Sequence, residues 1–84
     1  DKDQYYSYRA YFQDTGGLAS KALVKIAGVE VGWVDRIDLL ADGKAEVILR
    51  ISRSIKLAKN AYAMINQDGL IGTKNLEIDP GDSS

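Results

Sequence analysis

Apolar and polar residues alternate with a period of two through most of this chain, and that restricts what it can fold into. Successive side chains of a strand point to opposite faces, so a half-buried strand reads apolar, polar, apolar. The clearest run covers residues 44–52. Ala45, Val47, Leu49 and Ile51 share one face, while Lys44, Glu46, Arg50 and Ser52 share the other. Ile48 is the one apolar residue on the polar side, which puts it at the surface. Asp42-Gly43 just before the run predicts a hairpin, because glycine takes positive φ without a steric penalty. In residues 29–40, Val29, Val31, Ile37 and Leu39 share a parity, Asp35 breaks it and Val34 falls on the other side. A β-bulge near Trp33-Val34 shifts the register by one residue and turns Val34 inward.

The same period recurs elsewhere. Tyr6, Tyr8, Ala10 and Phe12 alternate with Tyr5, Ser7, Arg9 and Tyr11 in an aromatic-rich first strand. Ala22, Val24 and Ile26 predict a short strand that ends at Gly28, and Ala61, Ala63 and Ile65, then Leu76 and Ile78, mark two more. Residues 15–21 can hold one helical turn at most, and Pro80-Gly81 reads as a strand exit. Short strands with turns about 8–12 residues apart predict an all-β fold, a small barrel or a sandwich. A barrel also leaves no strand edge open to aggregation.

Composition narrows the function. The 84 residues contain 11 Lys and Arg against 12 Asp and Glu, with no cysteine and no histidine. One domain is all this length allows, and a domain so small buries only about 60–65% of its unfolded surface. Without cysteine there is no disulfide, thiol nucleophile or thiolate metal site; without histidine there is no ordinary zinc site. The carboxylates Asp14, Asp35, Asp38, Asp68, Glu77 and Asp79 form no paired acid–base motif. The serines have no histidine to activate them. Catalytic residues, metal ligands and cofactors are therefore expected to be absent. The glycines do not have phosphate-loop spacing, and Asp79-Pro80-Gly81-Asp82 has too few ligands for calcium. A net charge of -1 argues against nucleic acid as a partner, despite five tyrosines and Trp33. No apolar stretch reaches the roughly 18 residues of a membrane span. The chain opens Asp1-Lys2-Asp3-Gln4, with no initiator Met and no signal peptide, so it is expected to be excised from a longer protein.

One loop is unusual. Asp68-Gly69-Leu70-Ile71-Gly72 places two bulky apolar residues between glycines, between two strands, where a polar turn is the norm. Either Leu70 and Ile71 fold back as a plug on the core, or the loop projects and its apolar tip meets a partner or an apolar ligand.

Together these motifs resemble the mammalian cell entry (MCE) domain family. Those that carry the resemblance are Phe12 through Gly17-Leu18, then Val24-Lys25-Ile26-Ala27-Gly28-Val29-Glu30-Val31-Gly32-Trp33-Val34, then Ile37-Asp38-Leu39. After the hairpin come Asp68-Gly69-Leu70-Ile71-Gly72 and Leu76-Glu77-Ile78-Asp79-Pro80-Gly81. The resemblance implies a single MCE domain over residues 1–84 with its core at about 5–81, and a small seven-stranded β-barrel. It implies assembly into a homo- or hetero-hexameric ring with a central apolar pore. That ring would be the substrate-binding part of an ABC-type lipid transporter, as in the anchored subunit of bacterial phospholipid-transport systems, and not an enzyme. Its partners would be phospholipid and ABC permease and ATPase subunits. It would sit at the periplasmic face of the inner membrane through an N-terminal anchor that this chain lacks, or in the equivalent chloroplast space. Carried onto this sequence, Leu70 and Ile71 line the pore, and Asp68, Gly69 and Gly72 shape the loop. Gly17, Gly28, Gly32 and Gly81 are structural, Gly28 and Gly32 serving a turn and a close strand contact, and Trp33 is a surface or subunit-interface residue. The alternative is a self-associating or partner-docking barrel whose apolar loop is an interface and conducts no lipid.

Overall fold

The computed structural model describes residues 4–70 and 72–82. The strands are β1 (Tyr5–Phe12), β2 (Leu23–Ile26), β3 (Val29–Leu39), β4 (Ala45–Ser52), β5 (Tyr62–Gln67) and β6 (Lys74–Asp79). They form one sheet in the order β1-β4-β3-β2-β6-β5. Neighbours run antiparallel except β2 and β6, which pair in parallel through Val24↔Leu76 and Lys25↔Glu77.

Local chemistry sets the turns. Ala27 and Gly28 take φ of 53° and 80° between Ile26 and Val29, the two left-handed positions of a type I′ hairpin. In the β3–β4 connection the Gly43 N–H donates to the Leu40 carbonyl at 3.0 Å, and the Lys44 N–H donates to Asp42 Oδ1 at 3.0 Å. The short aspartate side chain thus replaces a backbone acceptor at the predicted Asp42-Gly43 turn.

Two bulges bend the long strand β3. Against β4 the register passes from Val34↔Leu49 to Arg36↔Ile48, leaving Asp35 as the extra residue. Against β2 it passes from Val24↔Gly32 to Lys25↔Glu30, leaving Val31. The first lies one position beyond Trp33-Val34 and turns Val34 fully inward, as the broken alternation requires. Extra residues on one strand increase its twist, so the sheet curls around its apolar face. Val24, Val34, Val47, Leu49, Ile51, Leu76 and Ile78 meet there, capped by Leu18 from the β1–β2 connection.

Two expectations need correction. The described residues contain six strands, one fewer than the barrel the resemblance implied. The edge strands β1 and β5 do not pair, so the sheet is a half-barrel with an apolar cavity of about 480 Å³ at its seam, lined by residues such as Tyr8, Phe12, Ala63 and Ile78. Residues 53–61 pass nearby and pack Ile55 and Leu57 on the core. Their backbone is tied to the residues that flank β1 and β6 through isolated bonds, Arg53 N–H to the Gln4 carbonyl and Ala58 N–H to the Pro80 carbonyl, which do not make a ladder. Secondly, Ile48 is no surface residue: it is 5% exposed. Its directly paired neighbours are Arg9 on β1 and Arg36 on β3, long side chains whose aliphatic stems are able to cover a residue on the outer face of the sheet.

Candidate functional site

The loop between β5 and β6 is built on a well-anchored hairpin. Pairing runs from Tyr62↔Asp79 to Gln67↔Lys74, and residues 68–73 span the end. The Asp68 N–H donates to the Thr73 carbonyl at 3.3 Å, which closes the neck. Gly72 packs so tightly on the Asp68 carbonyl that a Cβ there would overlap it. Gly69 has φ of 74°, in the left-handed region. Between them Leu70 is 98% exposed, so it projects and plugs nothing. Ile71 lies outside the described residues.

Polar side chains brace this apolar tip from behind. Gln67 Nε2 donates to the Leu70 carbonyl at 2.9 Å. Asn75 Nδ2 donates to Asp68 Oδ2 at 3.2 Å, and the Lys25 ammonium stands 4.0 Å from the same oxygen. Asp68 therefore ties the loop to β6 and to β2, which lie side by side because of the parallel pairing. Asn75 is 3% exposed, and its Oδ1 has no hydrogen-bond partner among the described residues. Gln67, Asn75 and Lys25 were not singled out from the sequence. Asn75 shares the parity of Glu77 and Asp79, which reads as a solvated face, and no local signal marks it as buried.

The other motif residues lie away from the loop tip. Gly17 (φ 92°) turns the β1–β2 connection, and Gly81 (φ 77°) sits against Asn60 and Ala58 as the chain leaves β6. Gly32 lies under the Arg50 carbonyl of β4, where a Cβ would collide with backbone. Trp33 is half-buried on the outer face, edge-on to Tyr5 with ring centroids 4.7 Å apart. The outer face also carries a charge ladder. Arg9 pairs with Glu46 at 3.4 Å, Arg36 with Asp38 at 3.0 Å and Arg50 with Asp35 at 3.8 Å. Glu46 also accepts the Tyr11 hydroxyl at 2.9 Å, and that bond raises the Tyr11 pKa above the ordinary tyrosine range. The Arg36 pKa is raised by its bond to Asp38.

Among the described residues no group of three or more His, Cys, Asp or Glu side chains could hold a metal ion. No helix there is long and apolar enough to cross a membrane. The site offers an apolar tip on a polar brace, an arrangement suited to contact with apolar matter.

Comparison with known proteins gives a consistent result. The family described as MlaD protein matches residues 4–81. Among solved structures, a chain of the Acinetobacter MlaFEDB complex in an ATP-bound conformation superposes with a TM-score of 0.82 at 22% identity. The match covers 94% of this chain and 67% of that one. A comparison with curated protein sequences found no match.

Proposed function

This chain belongs to the MlaD protein family, and from that premise we propose that it is a lipid-contacting domain of an envelope ABC transporter. The family membership agrees with the MCE resemblance read from the motifs. In this reading several copies form a ring, hexameric as the resemblance implies, and the β5–β6 loops converge on its axis. Leu70 and Ile71 then supply an apolar collar through which a phospholipid or another hydrophobic molecule passes. The domain works beside permease and ATPase subunits at the periplasmic face of the inner membrane. It makes and breaks no bonds; it provides a passage.

One observation carries the reading. A leucine 98% exposed at the tip of a braced loop costs solubility and contributes nothing to the core. Its place at the tip of the loop that the resemblance assigns to the pore is what favours an apolar contact there. Each methylene of an acyl chain gains about 0.8 kcal/mol on leaving water, so an apolar collar lowers the barrier to crossing an aqueous gap.

A photoreactive residue at position 70 of the full-length protein in cells tests this. The control belongs at Asp42, exposed on the β3–β4 turn. A phospholipid-sized adduct at 70 and none at 42 supports a conduit. Adducts at 70 that join only neighbouring subunits overturn it and leave the loop as an interface.

A further inference from the structure

The apolar seam is bordered by β1 and β5, each of which pairs on one side only among the described residues. The register shows which backbone groups of β1 point into it. The Leu40 N–H donates to the Lys44 carbonyl at 2.8 Å, two steps beyond Asp38↔Glu46, so Glu46 spends its backbone groups on β3. Backbone groups alternate in direction along a strand, so Ala45, Val47, Leu49 and Ile51 bond to β1, where their partners are Phe12, Ala10, Tyr8 and Tyr6. The Arg53 N–H bond to the Gln4 carbonyl at 2.9 Å, one step beyond Tyr5↔Ser52, gives the same alternation. Tyr5, Ser7, Arg9 and Tyr11 therefore turn their N–H and C=O groups away from β4. We propose that this edge receives an extended segment of a partner protein, acidic on one face and apolar on the other, paired antiparallel with β1. The inference is independent of the conduit reading, because the seam cavity shares no lining residue with the loop of residues 68–72.

Three observations carry it. The first is the edge itself. Backbone donors and acceptors repeat along it about every 7 Å, a row that another strand matches. Such edges are ordinarily blunted by charge, proline or a bulge. β1 has no proline, Arg9 is its one charged residue, and its register with β4 is unbroken. The pairings around the sheet also make β1 and β5 run in the same direction, so a single strand can lie antiparallel to both.

The second is the room beside the edge. Ala10, Ala58, Ala61 and Ala63 line the cavity of about 480 Å³ together with Tyr8 and Phe12. The small alanines leave the space, and apolar side chains of an added strand would supply the contacts that the lining lacks. Tyr11 and Tyr62 border the same cavity while 56% and 55% exposed, so it opens to solvent between two aromatic rings of the kind that anchor interfaces.

Charge is the third. β1, β5 and the crossing of residues 53–61 contain Arg9, Arg53, Lys56 and Lys59, and none of the 12 carboxylates of the chain. Lys56 and Lys59 are exposed and have no ion-pair partner among the described residues. Arg9 stands on the outer face and turns its backbone to the seam, so an outer-face carboxylate of the added strand lies directly across from it. In antiparallel pairing, the residues that bond to β1 place their side chains on that outer face, and those between them face the cavity. The fitting segment thus alternates acidic and apolar residues. A lipid surface or a nucleic acid offers the negative charge and lacks the backbone groups that the edge requires.

The test measures binding of a fluorescent peptide of about ten residues, valine alternating with glutamate, to the full-length protein. The glutamate N–H groups face β1 in the proposed pairing. Methylating the glutamate nitrogens should abolish binding, and methylating the valine nitrogens should preserve it. Neither peptide alters the protein, so the folding of a variant does not enter. Lysine in place of glutamate in the peptide, or Lys56→Glu with Lys59→Glu in the protein, should each weaken binding about tenfold. Ala61→Leu, which fills the cavity, should weaken it too, and Leu70→Asn should leave it unchanged. Undiminished binding of the glutamate-methylated peptide overturns strand pairing, and equal binding of the lysine peptide overturns the acidic partner. Absence of binding by the full-length protein overturns the proposal. Binding that appears only after subunits are dispersed does so as well, because a second copy then covers the seam. Loss of binding in Leu70→Asn places the peptide at the β5–β6 loop and overturns the seam site. In every case the conduit reading is decided separately, by the adduct at position 70.

Discussion

At the scale of single residues, two positions translate chemistry directly into measurable behaviour. Gly32 lies under the Arg50 carbonyl with no room for a Cβ, and both neighbours are backbone that cannot swing away. Gly32→Ala should destabilise the domain by at least about 2 kcal/mol, read as a lower urea midpoint at unchanged slope. Tyr11 is the second. Its hydroxyl donates a hydrogen bond to Glu46, and that bond raises the Tyr11 pKa in the folded state. A raised folded-state pKa contributes stability below the ordinary tyrosine value, and that contribution is lost as the pH climbs through the raised value. Tyr11 is exposed, so the effect on stability is small and the titration itself is the better readout. Glu46→Gln should bring phenolate absorbance at Tyr11 to a lower pH, with Tyr11→Phe identifying the signal.

At the scale of elements, burial and exposure run against first appearances. Ile48 stands on the polar parity of β4 and is buried; Leu70 is a large aliphatic residue and stands in water. Ile48→Ala should cost about 2 kcal/mol, the low end for such truncations, because the stems of Arg9 and Arg36 can close over the gap. Leu70→Asn should leave the thermal midpoint unchanged while lipid transport by the full-length protein falls sharply. Equal destabilisation by the two would mean that Leu70 packs on something within its own domain. The parity of β4 was legible in the sequence, since Val47, Leu49 and Ile51 are all core. Ile48 was not, because its cover comes from strands distant in sequence. The oddity of the β5–β6 loop was legible in Leu70 flanked by glycines. Its brace was not: Asn75 and Lys25 sit at polar parities like any solvated residue, and only the juxtaposition of β2 and β6 brings both to Asp68.

For the whole molecule, size and shape matter most. A chain of 84 residues closes a small core, and its sheet leaves β1 and β5 unpaired across an apolar seam. Large apolar side chains such as Leu39, Val29, Tyr11 and Tyr62 remain exposed as well. If copies of the domain associate in the proposed ring, mass action stabilises the folded state that associates. The thermal midpoint of the full-length protein should therefore rise with protein concentration. A midpoint independent of concentration would argue that the domain is stable without association.

What the sequence determined by itself was whatever depends on near neighbours along the chain. Alternation sets the strand faces, Asp42-Gly43 sets a turn, and the broken parity at Val34 demanded a bulge. Each follows from backbone sterics or a two-residue period. Only the tertiary structure decided the strand count, the open seam, the burial of Ile48 and the orphaned oxygen of Asn75. Those depend on which strands become neighbours. The parallel pairing of β2 with β6 joins residues some fifty positions apart, and no local period encodes that choice.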